Sequence, residues 1–266
     1  MSESGLAPVL PAQWRWWEDG AHDGITNMAT DQALLATVRP GAGTWRWYGW
    51  SRPTVSFGRN ERTAGRFPPD GLAAAGLDAV RRPTGGRALL HWRELTYSVA
   101  LPLPAEVPWR RAYDAINSML LGALTALGLP ARLAGAGKPV MPDGPVCFDL
   151  PAEGEITVDG RKLVGSAVWR QGDAYLQHGS LLLHDDQGRL ASIPGAPSPA
   201  PPAAATLGSA FPHHADHELR RLVYAATHHA LAGIGTVTPF VADRAWDSVL
   251  ALQHGHFASP EWLWRR

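Results

Sequence analysis

The dipeptide Asp159-Gly160 constrains the fold of this chain more than any other pair of residues. It separates Ile156-Thr-Val158 from Arg161-Lys-Leu-Val164. A two-residue loop of this composition takes positive φ at both positions and closes a β-hairpin with the twist of its flanking strands. The pairing predicts Val158 opposite Arg161, Thr157 opposite Lys162 and Ile156 opposite Leu163. Side chains alternate along a strand. Ile156, Val158 and Leu163 are then expected on one apolar face, with Arg161 at the tip and Lys162 on the other face beside Thr157. An amine in that position reads either as a site residue or as a solvated lysine on a half-exposed strand.

Residue usage sharpens the choice. Lys162 and Lys138 are the only lysines among 24 basic residues; the others are arginine. An amine, unlike a guanidinium, can lose its proton when desolvated. Cys147, a short way upstream, is the single cysteine. A thiol is the best side-chain nucleophile near neutral pH where its thiolate is favoured. A lone thiol near a titratable amine is an acyl-transfer arrangement; the competing reading of Cys147 is a small buried hydrophobe. One cysteine excludes an intramolecular disulfide and fits a reducing compartment.

A formal net charge of zero gives no long-range attraction to nucleic acid or to an anionic membrane. The stretch from Met1 to Gln13 contains Pro8 and Pro11 and no long apolar run, so no signal peptide is expected. No segment approaches the roughly 20 apolar residues that span a bilayer. A soluble cytoplasmic protein is the expectation, and the length suits one large domain or two small ones.

Along the chain, Trp14 to Trp17 reads as a strand. Asn27 to Val38 reads as a helix capped by Thr26, with Asp31 a solvated carboxylate on it. Thr44 to Trp50, Pro53 to Gly58, Asp78 to Arg82, Ala88 to His91 and Leu95 to Leu101 read as strands. Between them lies Pro83-Thr-Gly-Gly-Arg87, whose glycines let a backbone approach a ligand. Arg81, Arg82 and Arg87 beside it suit a phosphate-bearing ligand. His91 is open between a site residue and a satisfied core histidine. Pro108 to Leu127 carries an apolar helical stripe ended by Gly128. Ala131 to Asp143 reads as a loop. Ala174 to Leu183 reads as a buried strand that encloses the polar Gln177, His178 and Ser180, which need partners. Residues 193–212 read as a Pro/Ala-rich surface loop, Ala215 to Leu231 as a helix with Leu219, Leu222, Val223 and Ala226 inward, and Trp246 to Leu252 as a last helix. His213, His214, His217, His228 and His229 lack a completing ligand set, so no metal is expected there.

Taken together, the motifs resemble the biotin/lipoate protein ligase family. Arg81-Arg-Pro-Thr-Gly-Gly-Arg-Ala-Leu-Leu-His91 followed by Glu94-Leu-Thr-Tyr-Ser98 resembles its signature loop. Gly160-Arg-Lys-Leu-Val-Gly-Ser-Ala167 resembles its lysine motif, and Leu176-Gln-His-Gly-Ser-Leu-Leu182 the strand that follows. Asp23-Gly-Ile-Thr-Asn-Met28 with Asp31, and Tyr48-Gly-Trp50 with Pro53-Thr-Val-Ser56, match in order. Cys147-Phe148 upstream of the lysine motif looks like the octanoyltransferase branch related to lipoate ligases, although Pro151-Ala-Glu-Gly154 stands where that branch has a Pro-Ser-aromatic run.

The resemblance implies an α+β fold, a mixed, mostly antiparallel sheet with helices packed on it. It implies transfer of an octanoyl group from octanoyl-acyl carrier protein to a lysine of a lipoyl domain, of the glycine cleavage H protein or an E2 subunit. Cys147 is the implied acyl-accepting nucleophile and Lys162 its catalytic partner. Arg82, Thr84, Gly85, Gly86, Arg87, His91, Gly165, Ser166, His178 and Gly179 are the implied substrate-binding residues. No cofactor is expected and a monomer is favoured; ATP enters only under the rival reading of a lipoate–protein ligase. A second rival is an amidotransferase between lipoyl domains, and a third a carrier-binding module without activity.

Overall fold

The computed structural model describes residues 9–63, 65–135, 151–196 and 202–265. In chain order the elements are β1 (Gln13–His22), α1 (Gly24–Ala36), β2 (Ala42–Trp50), β3 (Thr54–Phe57), α2 (Pro69–Ala74), β4 (Asp78–Arg81), β5 (Leu89–His91) and β6 (Glu94–Pro102). Then follow α3 (Trp109–Ala126), β7 (Ala131–Leu133), β8 (Ile156–Val158), β9 (Arg161–Gln171), β10 (Ala174–Leu182) and a 3₁₀ turn at Gln187–Ser192. The chain continues with α4 (Leu207–Ala210), α5 (Asp216–Ala232), β11 (Thr236–Pro239), α6 (Trp246–Phe257) and α7 (Pro260–Leu263).

Eight strands form one sheet in the order β11-β1-β2-β6-β10-β9-β8-β7, and three form a second in the order β4-β3-β5. In the large sheet β1 runs parallel to β2 and to β11, and the other pairings are antiparallel. Alternation along the central strands sends Trp45, Trp47, Tyr97, Val99 and Tyr175 to one face, where Ile116 and Leu120 of α3 and Leu219 and Val223 of α5 cover them. The intervening Tyr48, Ala100 and Leu176 face α1 and α6. The small sheet has its own apolar cluster of Val55, Phe57, Phe67, Leu72 and Leu90. Its opposite side faces the large sheet across α1, and the site lies in that gap.

The hairpin forms as its turn dictates. Asp159 has φ 51° and Gly160 φ 74°; positive φ at a non-glycine is tolerated by aspartate in this turn. Thr157 pairs with Lys162 and Val158 with Arg161, but Ile156 pairs with Val164 and not with Leu163. A register shift between Ile156 and Thr157 absorbs the extra residue. Both faces of the hairpin are buried, Lys162 included, so the solvated-lysine reading does not hold.

Other expectations change for local reasons. Asp23, not Thr26, caps α1: its side chain accepts from the Thr26 N–H, and the helix ends at Ala36. Ala131–Leu133 is a strand, because it pairs with β8. In the Pro/Ala-rich stretch, Ala204, Ala205 and Leu207 are buried and α4 forms; a surface loop does not describe that part. Leu222 and Ala226 are only half-buried, while Tyr224 and Thr227 join Leu219 and Val223 inside. The edge strand β11 is the β-branched run Thr236-Val-Thr before Pro239, which was passed over in the sequence. No helix among the described residues is long and apolar enough to cross a membrane.

The end of the chain is stitched to β4. Arg81 is fully buried. Its Nη1 donates to the carbonyls of Gly58 (2.6 Å) and Glu61 (2.8 Å), and its Nε to those of Trp262 and Leu263, both 3.0 Å. Trp262 Nε1 returns a bond to the Arg81 carbonyl at 2.9 Å. Burial brings the guanidinium down to about 10, which leaves it cationic at neutral pH. Arg81→Ala should therefore strand several buried carbonyls and destabilise the fold by about 3 kcal/mol or more; urea denaturation monitored by tryptophan fluorescence measures it, and a loss near zero would show that the tail is not held this way.

Candidate active site

One pocket in the gap between the sheets collects side chains from six elements and the loop after β4. Met28, Tyr48, Arg82, Leu89, His91 and Thr96 form part of its wall, and Gly165, Ser166, Ala167, His178, Gly179 and Ser180 complete it from β9 and β10. The lining is mainly apolar, as a site for a hydrocarbon chain requires. Gly179 permits the packing beneath it. A Cβ there would lie 2.6 Å from the Gly165 carbonyl and 2.7 Å from Tyr97 Cε1.

Two chains of carboxylate, imidazole and hydroxyl bridge the layers. In the first, Asp31 Oδ2 accepts from His178 Nδ1 at 2.9 Å, and His178 Nε2 lies 2.6 Å from Thr84 Oγ1. In the second, Glu94 Oε1 accepts from His91 Nδ1 at 2.7 Å, and His91 Nε2 lies 2.7 Å from Ser56 Oγ. Glu94 Oε1 also accepts from Thr96 and Ser180. His91 stacks on Trp50 with ring centroids 4.0 Å apart. His91 is thus a hydrogen-bonded interior histidine that also lines the pocket.

Asp31 overturns the reading of a solvated carboxylate. It is fully buried, and Arg46 Nη1 donates to its Oδ1 at 2.8 Å while Tyr48 Oη donates to its Oδ2 at 3.0 Å. Burial by itself would raise the carboxyl, but the hydrogen bond from His178 and the charge of Arg46 outweigh it and hold Asp31 below its ordinary range. Burial, opposed by Asp31, pulls His178 below its ordinary value. The pair at neutral pH is a carboxylate and a neutral imidazole with its proton on Nδ1.

Ser166 sits at the end of a third network. Gln177 Nε2 donates to Tyr97 Oη at 2.8 Å, and the Tyr97 hydroxyl shares a hydrogen bond with Ser166 Oγ at 2.7 Å. Burial pushes the Tyr97 phenol up to about 12, so it stays protonated.

Arg81 and Arg82, which with Arg87 suit a phosphate in the sequence, are engaged with the protein's own main chain. Arg81 holds the chain's end. Arg82 Nη1 donates to the Ser56 carbonyl and hydroxyl, and its Nη2 to the carbonyls of Gly85 and Arg87. The guanidinium thereby shapes the loop it belongs to. Gly85 and Gly86 are exposed at the loop's rim and Arg87 is half-buried.

Lys162 is held by a residue that sequence reading passed over. Its Nζ lies 2.8 Å from Glu155 Oε1, and both side chains are buried. Glu155 Oε2 accepts from the Ala152 N–H at 2.7 Å, and Asn117 Nδ2 donates to the Gly154 carbonyl at 2.9 Å. The chain entering β8 is therefore fixed beside the amine. Cys147 lies outside the described residues. Thr84 stands behind the pocket wall, against His178. Asp31, Arg46, Glu94, Tyr97 and Glu155 are the polar residues missed. A charged residue among the apolar positions of α1 was the available signal for Asp31. Among the described residues no group of three His, Cys, Asp or Glu side chains is placed to hold a metal ion.

The fold is a mixed, mostly antiparallel sheet with an arginine–glycine loop beside a mainly apolar pocket. Residues 23–206 match the lipoyl protein ligase A/B catalytic domain, and the chain belongs to that family. The octanoyltransferase LipM of Kyrpidia tusciae is 39% identical over 197 residues, which cover 70% of this chain and 71% of that protein. Among solved structures, lipoate-protein ligase A bound with ATP superposes with a TM-score of 0.77 at 20% identity, covering 96% of this chain and 99% of the other. A bi-partite lipoate protein ligase from Thermoplasma acidophilum, studied with its E2 lipoyl domain, gives 0.73 at 18% identity, covering 95% and 96%. At these identities the structures speak for the fold alone.

The Asp31–His178 pair sets a pH dependence. A histidine whose folded pKa lies below its ordinary 6.5 binds its proton more readily when unfolded, so folding stability falls as pH drops below that value. Asp31 adds a second loss only below its ordinary 3.8. The melting temperature should decline from about pH 7.5 to about pH 5.5, and His178→Gln should flatten the decline; an equally steep profile in the variant would assign it to other groups.

Proposed function

We propose that this protein is an octanoyltransferase of protein lipoylation, working through a covalent thioester. The Cys147 thiolate attacks the carbonyl of octanoyl-acyl carrier protein; the new S–acyl bond forms as the carrier thiol leaves and takes a proton. The lysine amine of a lipoyl domain then attacks the acyl-cysteine. The amide forms, and the Cys147 sulfur is released. The first step exchanges one thioester for another and needs no ATP; amide formation drives the second.

The observation that carries this reading is the sequence match to an enzyme that bears this activity in its name, over more than two thirds of both chains. The geometry is consistent with it. The pocket lining is apolar. Arg81 and Arg82 donate to main-chain carbonyls, which disfavours an adenylate route that uses them as a phosphate cradle. Lys162 and Glu155 are anchored just downstream of Cys147 in sequence. In this proposal Lys162 polarises the acyl carbonyl or relays its proton, and amides near Gly85 and Gly86 assist. Ser166, hydrogen-bonded to Tyr97, is placed in the pocket lining to reach the acyl oxygen. Arg82, Arg87, His91, Gly165, His178 and Gly179 shape the acyl and carrier-arm site, and Thr84 supports it. A free nucleophilic thiol suits the cytoplasm.

Intact-mass analysis tests the proposal. Octanoyl-acyl carrier protein without ATP should leave an octanoyl adduct that hydroxylamine removes and that Cys147→Ala does not form. Absence of the adduct, with transfer appearing only when ATP and free acid are supplied, would move the protein to the ligase branch. Lys162→Arg should acylate or transfer at least about a hundredfold more slowly, since guanidinium keeps the charge but cannot relay a proton; wild-type rates there would leave charge as the whole role of the lysine.

A further inference from the structure

The loop from Arg82 to Ala88 has no strand ladder to hold it, yet its first residue, Arg82, lines the pocket. Its ties come from side chains and single amides. Arg82 binds the carbonyls of Gly85 and Arg87 from within the loop. The Arg59 N–H donates to the Thr84 carbonyl at 2.8 Å, and the Ala88 N–H donates to Glu61 Oε1 at 3.0 Å. These contacts fasten the loop to the small sheet and its neighbours. Its tie to the large sheet runs through Thr84 Oγ1 and His178 Nε2.

That tie has a direction. His178 carries its proton on Nδ1 because Asp31 Oδ2 accepts it at 2.9 Å. Nε2 is then an acceptor, and it takes the Thr84 hydroxyl proton. Asp31 is itself fixed by Arg46 and Tyr48, so it cannot turn away. The other imidazole repeats the arrangement, with Glu94 on Nδ1 and Ser56 on Nε2. We propose that Asp31 is a positioning residue for the acyl-transfer reaction: by fixing the His178 tautomer it aims Nε2 at Thr84 and holds the Thr84-Gly85-Gly86 turn against the pocket. The link to catalysis rests on the function proposed above; the link from Asp31 to the turn does not.

The test has two arms. Without substrate, nitrogen-15 NMR of histidine-labelled protein should show His178 protonated on Nδ1 in the wild type and on Nε2 in Asp31→Asn, where the amide presents a donor to the ring. Amide hydrogen exchange in residues 83–88 should quicken in Asp31→Asn and in Thr84→Val. With substrate, each variant should transfer octanoate about tenfold more slowly, the double variant should be no slower than either single one, and Thr84→Ser should regain most of the rate. Thr84→Val leaves the Asp31–Arg46 pair intact, so it carries the test if Asp31→Asn does not fold. An unchanged tautomer, unchanged exchange, or multiplicative losses in the double variant would overturn the proposal. A wild type with the expected tautomer and protected loop but no octanoyl adduct would instead refute the octanoyltransferase reading alone.

Discussion

The ion pair of Asp31 and Arg46 is the interaction on which the rest of the site depends. Both side chains are fully buried, and removing two charges from water costs several kcal/mol per ion unless their hydrogen bonds are satisfied. Here they are. Arg46 reaches Asp31, Asp19 and both the carbonyl and the side chain of Asn27, and its guanidinium lies 3.9 Å from the centre of the Tyr48 ring. Asp31 takes Arg46 on one oxygen and Tyr48 with His178 on the other. The pair thereby locks α1 to β2 and β10 in one geometry. A packed apolar cluster would bind the helix equally well, but it would not orient an imidazole.

The consequence is a pocket of mainly apolar surface held by polar side chains. Met28, Leu89 and the glycines line it together with both imidazoles, each of which has a carboxylate on Nδ1 and a hydroxyl on Nε2. Low dielectric strengthens such bonds and penalises any that are left open. The hydrogen-bonded imidazoles are therefore fixed in orientation, as precise placement of a reacting group demands.

Much of this was legible in the sequence. The hairpin turn, the strand order of hydrophobic runs and the α3 stripe depend on neighbours a few residues away, and they stand as read. Two adjacent arginines invite a phosphate when read in sequence, and only the fold shows that Arg81 and Arg82 donate to main-chain carbonyls. Asp31 reads as a surface residue because a helix exposes most of its carboxylates, and its partners on β2 and β10 are distant in the chain. Glu155 lies two positions before Thr157, the partner of Lys162, so strand alternation places it on the lysine's face, and that signal was passed over.

The tail extends the same point beyond the family match. Residues after 206 lie outside it, yet Trp262, Leu263 and Arg265 offer their carbonyls to Arg81. Arg81 and Arg82 are adjacent, and they turn to opposite sides of β4's end: one to the tail, the other into the loop beside the pocket. Wherever the tail holds Arg81, it also sets the starting point of the loop. The sequence separation is large, but closure entropy grows only logarithmically, by about 0.6 kcal/mol per doubling of loop length. A few buried bonds to one guanidinium suffice to offset that. The chain can therefore draw its last helix into the support of its active site at little thermodynamic cost, and no local pattern in the sequence has to announce it.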